Sequence, residues 1–190
     1  CFSAGAQPDT ERRFHIYLRA ERRAPTRAAQ RAAYRELAAH VTNLVRAGDF
    51  EDPAQSDAAW QAGTEGAAGA PHATVDVVDG GVIGPHASRL SVPATAPLEW
   101  TGRRQTVRAI EPGAAYLFAG FVKTQGVTDG DAQLHAHLLK ADGGLVQSDA
   151  FTSTGGGLMG DSDWKLLSAV LTAPEDCAQI ELHLTMRAHG

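Results

Sequence analysis

Cysteine, aromatic residues and long apolar runs are all scarce in this sequence. Its 190 residues include two cysteines, three tryptophans and three tyrosines. No segment approaches the roughly 18 consecutive apolar residues that a membrane-spanning helix needs, so a bilayer could hold the chain only through an anchor or a surface contact. The length allows one well-buried core with an appendage, and it excludes two full domains.

Basic residues are scarce after the first quarter of the chain. Residues 1–47 carry nine arginines and four acidic residues, whereas residues 48–190 carry eight basic and eighteen acidic residues. This contrast predicts a basic arm over residues 1–47 and an acidic body over residues 48–190. The acidic body excludes a nucleic-acid-binding domain, since phosphate contacts need clustered Lys and Arg. The arm would suit anionic lipid headgroups or an acidic protein surface.

A methionine is lacking at the first position, which is Cys1. A mature chain that begins with Cys resembles a bacterial lipoprotein, in which that residue receives the lipid after signal-peptide cleavage. We therefore predict a lipid anchor at Cys1 and a periplasmic or cell-surface location. Two alternatives stay open, namely a chain boundary that falls at a cysteine by chance and a disulfide between Cys1 and Cys177.

The apolar residues of the arm have helical spacing. Phe14, Tyr17 and Leu18 lie at i, i+3 and i+4, which places them on one stripe of a helix. Pro25 suits the start of a second helix over residues 26–46. Three arginines follow at i+4 steps on the other side of this helix, namely Arg27, Arg31 and Arg35. Either these six residues dock a partner protein, or the helices pack on their own body with the arginines in solvent.

After Gly48 the period of the sequence changes from helical to alternating. Strand-like runs between turn signals cover residues 73–78, 88–92, 105–110, 115–124, 132–140, 164–172 and 179–186. About seven short strands with no helical period between them are typical of an antiparallel β-sandwich. Residues 57–71, which are rich in Ala and Gly, are predicted to form a loop.

Three phrases of the body occur in the order and spacing of a known family. They are Asn43-Leu44-Val45 with Gly48-Asp49-Phe50-Glu51 and Trp60, Gln105-Thr106-Val107 with Pro112-Gly113 and 116–124, and Asp163-Trp164 with Pro174 and Ile180-Glu181-Leu182. Over residues 43–187 the chain resembles bacterial carbohydrate-binding modules with a galactose-binding-like jelly-roll fold. The resemblance implies a jelly-roll β-sandwich behind the helical arm, with Trp60 and Trp164 in structural positions.

The resemblance also bears on calcium and on sugar binding. Glu51 matches an early ligand of the family's structural calcium, but the late strand that commonly supplies another ligand has no match here. We therefore expect no cofactor. Sugar-binding faces use exposed aromatic rings as platforms. Trp100, beside Glu99, is the one tryptophan that the structural positions leave available, and it is the candidate platform.

No catalytic motif is present. The serines sit in no Gly-x-Ser-x-Gly elbow, and Thr154-Gly155-Gly156-Gly157 does not open a predicted helix, so it is no phosphate cradle. We therefore predict that the protein is not an enzyme.

Histidines are concentrated on two predicted strands. His135 and His137 share one side of a strand, and His183 lies on the wet side of another strand, two residues after Glu181. If these strands are neighbours, a metal or proton site is conceivable. The alternative is a polar outer surface that happens to contain histidines.

Two functions from different classes fit the sequence. The first, which the sequence-based interpretation favours, is a non-catalytic lipoprotein that acts as an accessory subunit of a larger membrane protein complex, respiratory or photosynthetic for example. This hypothesis accounts for the basic arm and for the scarcity of platform aromatics. The alternative is a carbohydrate-binding module that holds a surface polysaccharide. Fold resemblance supports the alternative, although fold alone is weak evidence of function.

Overall fold

The computed structural model separates the chain between Leu44 and Val45. It describes residues 26–40, 42–64, 67–68, 72–108, 110–151 and 157–190. The predicted lipid site at Cys1 and the predicted stripe of Phe14, Tyr17 and Leu18 lie outside these ranges. Nowhere in the ranges is there a helix with the length and hydropathy to cross a membrane.

The first part of the chain contains one described helix, α1 (Arg27–His40). Its alanines favour helix formation, and the Thr26 hydroxyl accepts a hydrogen bond from the Ala29 N–H at 3.3 Å, as an N-cap does. Of the three arginines predicted to dock a partner, Arg35 has an exposed side chain. The side chains of Arg27 and Arg31 lie outside the described part of the helix.

The second part, Val45–Gly190, is almost entirely β-structure. Its elements are α2 (Pro53–Ala59), β1 (Gln61–Thr64), β2 (Ala67–Ala68), β3 (Thr74–Asp79), β4 (His86–Ser91), β5 (Thr101–Arg108), β6 (Ala115–Leu139), β7 (Leu145–Phe151), β8 (Leu158–Thr172) and β9 (Gln179–Met186). One antiparallel sheet has the order β2-β1-β5-β9-β6-β7, with β8 also paired to β6, and β3 and β4 form a separate hairpin. The predicted mainly β, antiparallel sandwich is confirmed.

Strand β6 belongs to two halves of the curled sheet. Residues 115–122 pair with β8, whereas residues 132–139 pair with β9 on one side and with β7 on the other. Between these stretches Gly126 and Asp129 both have a φ of 63°, in the left-handed region. We predicted a turn between two strands here. The chain instead bends within one strand that stays hydrogen-bonded.

A shared core fills the space between the two halves. Phe118 and Leu167 come from the β6–β8 half, and Leu138 and Leu182 come from the β6–β9 half. Leu138 and Leu167 are fully buried. Complete burial of such a side chain contributes roughly 1.5–3 kcal/mol to the stability of the fold. Because the cluster contains side chains from both halves, both halves depend on it for their stability.

The segment before α2 is held by side chains. Gln105 of β5 accepts a hydrogen bond from the Arg46 N–H at 2.8 Å and donates one to the Arg46 carbonyl at 2.9 Å. The indole N–H of the buried Trp60 donates to the same carbonyl at 3.1 Å. Arg46 was predicted to end the long helix, but α1 ends at His40, and the backbone of Arg46 is instead hydrogen-bonded to these side chains.

In the described part of residues 57–71, the end of α2 and the strands β1 and β2 replace the predicted loop. Asp52 caps the helix by accepting from the Gln55 N–H at 3.1 Å, and Pro53 stands at the first helical position. The Trp60 N–H donates to the Ser56 carbonyl at 2.8 Å, which closes the helix. The loop was predicted from the alanine and glycine content of this segment, but alanine also has the highest helix propensity, so its presence did not distinguish a loop from a helix.

Candidate functional site

The side of the sheet that faces away from the core is polar over β5, β9 and the second half of β6. Along β9, Ile180, Leu182 and Met186 are buried in the core, whereas Glu181 and His183 point to the opposite side. The alternation therefore follows the prediction from sequence.

The strand register places these polar side chains in two transverse rows. In one row Gln61 pairs with Arg104, Arg104 with His183, and His183 with His135. In the other row Thr106 pairs with Glu181, Glu181 with His137, and His137 with Ser148. We call this set of eight residues the outer face: Gln61, Arg104, Thr106, His135, His137, Ser148, Glu181 and His183.

Three histidines and one glutamate meet at the centre of the outer face. The ring centroids of His135 and His137 are 4.7 Å apart, and those of His137 and His183 are 4.6 Å apart. His183 Nε2 lies 3.1 Å from Glu181 Oε1, and His137 Nδ1 lies 3.8 Å from the same oxygen. The Ser148 hydroxyl and His135 Nε2 are 3.1 Å apart, within hydrogen-bond distance. Strands β6 and β9 are therefore neighbours, which was the condition for a metal or proton site.

The carboxylate of Glu181 is partly shielded from solvent by the two rings. Its side chain, like that of His183, is 19% exposed, and that of His137 is 31% exposed. Polar contacts from His137, and then from His183, hold the pKa of Glu181 well below its ordinary value, against the opposing effect of burial. Glu181 is therefore ionised in the folded protein at neutral pH.

His183 Nε2 has an unusual environment. The atom is buried and has no hydrogen-bond partner, although Glu181 Oε1 lies only 3.1 Å away. The two atoms are therefore close to each other without the geometry of a hydrogen bond. Among the described residues, His137, Glu181 and His183 are the one set of three whose ligating atoms all lie within 4.8 Å of one another.

Arg104 brings a positive charge to the outer face. Its Nε donates to Gln61 Oε1 at 3.4 Å, across the β1–β5 pair. Sequence analysis did not single out Arg104, Gln61, Thr106 or Ser148. Their polar residue types were visible, but their grouping depends on the registers of β1 with β5, of β5 with β9 and of β7 with β6, which no local pattern encodes.

The predicted platform residues lie next to β5 and not in either row. Trp100 immediately precedes the strand and is partly exposed, and Glu99 is exposed. Trp60 is buried, as a structural position requires, and Trp164 of β8 is partly buried.

Glu51, the candidate calcium ligand, is engaged by His86. Its Oε1 accepts from the His86 N–H at 3.2 Å, and its Oε2 lies 3.1 Å from His86 Nδ1. The carboxylate also occupies the space that a side chain at Gly84 would need. Glu51 thus ties the β3–β4 hairpin to the segment before α2.

Cys177 is a free, buried thiol, and its S–H donates to the Gln179 carbonyl at 3.4 Å. Cys1, the alternative disulfide partner of Cys177, lies outside the described residues. The lipid anchor at Cys1 stays a prediction.

Comparison with known proteins gives matches of structure but not of sequence. No family model matches the chain, and neither does any curated protein. The enzymatically active domain of tailspike protein 4 from bacteriophage CBA120 matches 78% of this chain with a TM-score of 0.54 and 18% identity. The CBM22-1–GH10 modules of Clostridium thermocellum endo-1,4-β-D-xylanase 10B, complexed with xylohexaose, match 76% with a TM-score of 0.54 and 16% identity.

These two neighbours are much longer than the matched region. This chain covers 19% of the tailspike chain and 26% of the xylanase chain. The CBM22-1 xylan-binding domain of Paenibacillus barcinonensis Xyn10C also matches 76% of this chain, with a TM-score of 0.46 and 15% identity, and 93% of that domain is covered. At such identities the likeness concerns the fold, which is the predicted jelly-roll of carbohydrate-binding modules.

The favoured sequence-based function is wrong. An accessory subunit of a membrane protein complex was expected, with docking through Phe14, Tyr17, Leu18, Arg27, Arg31 and Arg35. The fold is instead shared with the carbohydrate-binding part of xylanase 10B, and this finding favours the alternative, a carbohydrate-binding module. The basic arm led to the error, because clustered arginines indicate an acidic partner without identifying it.

Proposed function

We propose that the protein is a non-catalytic polysaccharide-binding module whose outer face holds the glycan. The observation that carries this proposal is the pair of polar rows across five neighbouring strands, β1, β5, β9, β6 and β7. A face that crosses several strands is long enough to contact successive sugar units of an extended chain.

The chemistry of the rows suits sugar hydroxyls. A hydroxyl both donates and accepts hydrogen bonds, and the rows offer a guanidinium donor at Arg104, a carboxylate acceptor at Glu181 and mixed groups at Gln61, Thr106 and Ser148. Polar groups held at fixed positions supply specificity in ligand sites. The xylanase neighbour of the same fold was solved with xylohexaose, which supports a polysaccharide as the ligand class.

Holding, and not cleavage, is the activity that these residues support. Glycoside hydrolysis ordinarily uses two carboxyl groups that flank the scissile bond. Of the eight outer-face residues, Glu181 alone carries a carboxylate, and its lowered pKa makes it a poor general acid at neutral pH.

Affinity electrophoresis of the full chain through gels that contain soluble polysaccharides tests the proposal. Neutral xylan, uronate-substituted xylan and a mixed-linkage glucan form the panel. We expect retardation on at least one gel. Arg104→Ala should weaken binding about tenfold or more, because a hydrogen bond to a charged group contributes roughly 1.5–3 kcal/mol. The matched control is Lys165→Ala, which removes an exposed positive charge from β8.

Equal retardation of the Arg104 and Lys165 variants would show that the glycan does not bind at the outer face. Mobility unchanged by every polysaccharide would contradict the proposal itself. Trp100→Ala asks separately whether the ring beside β5 extends the binding surface, in which case it should weaken binding without changing stability.

A further inference from the structure

We propose that His137, His183 and Glu181 bind one divalent transition-metal ion of the zinc class, with the His135 ring beside it. The three ligands belong to the outer face proposed above to hold the glycan, but the metal site does not depend on that function and its test does not require a glycan.

The spacing of the ligand atoms is close to that of a metal site. Zinc binds His nitrogen and carboxylate oxygen at about 2.0–2.2 Å in tetrahedral geometry, which places any two ligand atoms about 3.3 Å apart. Here the distances to Glu181 Oε1 are 3.1 Å from His183 Nε2 and 3.8 Å from His137 Nδ1. All three ligating atoms lie within 4.8 Å of one another. Rotamer adjustments of about an ångström would complete the geometry.

The backbone fixes the ligands in advance. His137 is the register partner of Glu181, and His183 is the register partner of His135, on the paired strands β6 and β9. The other sides of both strands are packed into the core through Leu138 and Leu182. A site on rigid strands needs little ordering when the ion binds.

The buried ring nitrogen of His183 also favours a bound ion. A buried polar atom without a hydrogen-bond partner is rare in proteins and calls for an explanation, of which an ion is one. His183 Nε2 is such an atom. A metal ion bound to this nitrogen would satisfy it.

One positive charge faces the cluster from β5 and must be considered. Arg104 is the register partner of His183, and a guanidinium disfavours a nearby cation. Its Nε, however, donates to Gln61 on β1, which lies on the side of β5 away from β9. This contact directs the Nε toward β1, although the guanidinium stays close enough to Glu181 to help lower the pKa of that carboxylate.

The donor set identifies the class of metal. Two imidazoles and one carboxylate suit Zn²⁺, Cu²⁺, Ni²⁺ or Fe²⁺, whereas Ca²⁺ and Mg²⁺ prefer oxygen ligands. Three protein ligands leave at least one coordination position open. Water or an oxygen of a bound ligand would fill that position on the solvent side of the sheet.

Isothermal titration of the full, tag-free chain with Zn²⁺ tests the site, together with the metal content after dialysis. We expect one Zn²⁺ per chain, and visible absorption of low-symmetry bound Co²⁺ when cobalt replaces zinc. Glu181→Gln and His183→Gln should each weaken Zn²⁺ binding about tenfold or more. His72→Gln is the matched control, because His72 is exposed and precedes β3.

Glu181→Gln keeps the size of the side chain, so it carries the test even if His183→Gln fails to fold. Absence of stoichiometric Zn²⁺ binding would overturn the inference, as would an equal loss of affinity in the Glu181 and His72 variants. Retardation on polysaccharide gels with and without EDTA reports the glycan proposal separately.

Discussion

Both halves of β6 bury apolar side chains on their inner side, but their outer sides differ. Near its start, Leu117 and Phe121 pair with Val170 and Leu166 of β8, and the two β8 residues are 52% and 46% exposed. Near its end, His135 and His137 lie in the polar rows of the outer face. Burial on one side of a strand therefore fixes the fold and leaves the chemistry of the other side free.

The largest expected effect tests whether the two halves share one core. Leu138→Ala and Leu167→Ala each delete a fully buried side chain, one from each half, and each should cost about 2–5 kcal/mol of unfolding free energy. Urea unfolding measures both. Leu166→Ala on the outside of β8 is the control and should cost under about 1 kcal/mol. If Leu167→Ala were as mild as this control, the β8 half would not belong to the common core.

A smaller effect is expected for Gln105, a buried polar side chain on the inner side of β5. Gln105→Leu removes both hydrogen bonds to the Arg46 backbone, and the unpaired groups should cost about 1–3 kcal/mol. The exposed Gln125 of β6 provides the control, Gln125→Leu. Thermal unfolding compares the two variants. Equal melting temperatures would mean that the segment before α2 does not contribute to the stability of the sandwich.

The smallest expected effect concerns the bend between the halves. His189 Nδ1 lies 3.0 Å from Asp129 Oδ2, and its Nε2 lies 3.0 Å from the Ala96 carbonyl oxygen. The contact with Asp129, and then that with Ala96, raises the pKa of His189. Protonated His189 therefore contributes stability that is fully present below the ordinary pKa of 6.5 and is lost as the pH rises through the raised value.

Asp129→Asn should lower the pKa of His189 and flatten this pH dependence. NMR titration of the His189 ring measures the pKa directly, and Asp142→Asn in the exposed turn after β6 is the control. A titration curve unchanged by Asp129→Asn would show that the bend is not held by this pair.

Alternation made β9 and much of the outer face predictable. Its bounds match the predicted run, and the wet side of Glu181 and His183 follows from period two alone. The pairing of His135 with His183 was stated only as a condition, because which strands are neighbours depends on contacts distant in sequence. Arg104 entered the site for the same reason, through a register with β9 that no local pattern encodes.

Local signals failed where tertiary pairing overrides them. Asp129-Gly130 is typical of a hairpin turn, yet pairing with β8 and β9 keeps β6 continuous on both sides of it. Strand β7 was missed because its sequence, LVQSDAF, does not alternate strictly, and its pairing with β6 shifts register between Leu138 and Leu139.

Strand β8 bonds to β6 alone among the strands that the structure defines. One row of its amide and carbonyl groups therefore points past the rim of the sheet, where a second molecule could add a strand. Gly160, with a φ of 62°, breaks the straight run of backbone, and Asp161 and Lys165 place charge along it. Kinks and charges of this kind are the devices by which natural edge strands resist fibre-like stacking when many copies crowd together.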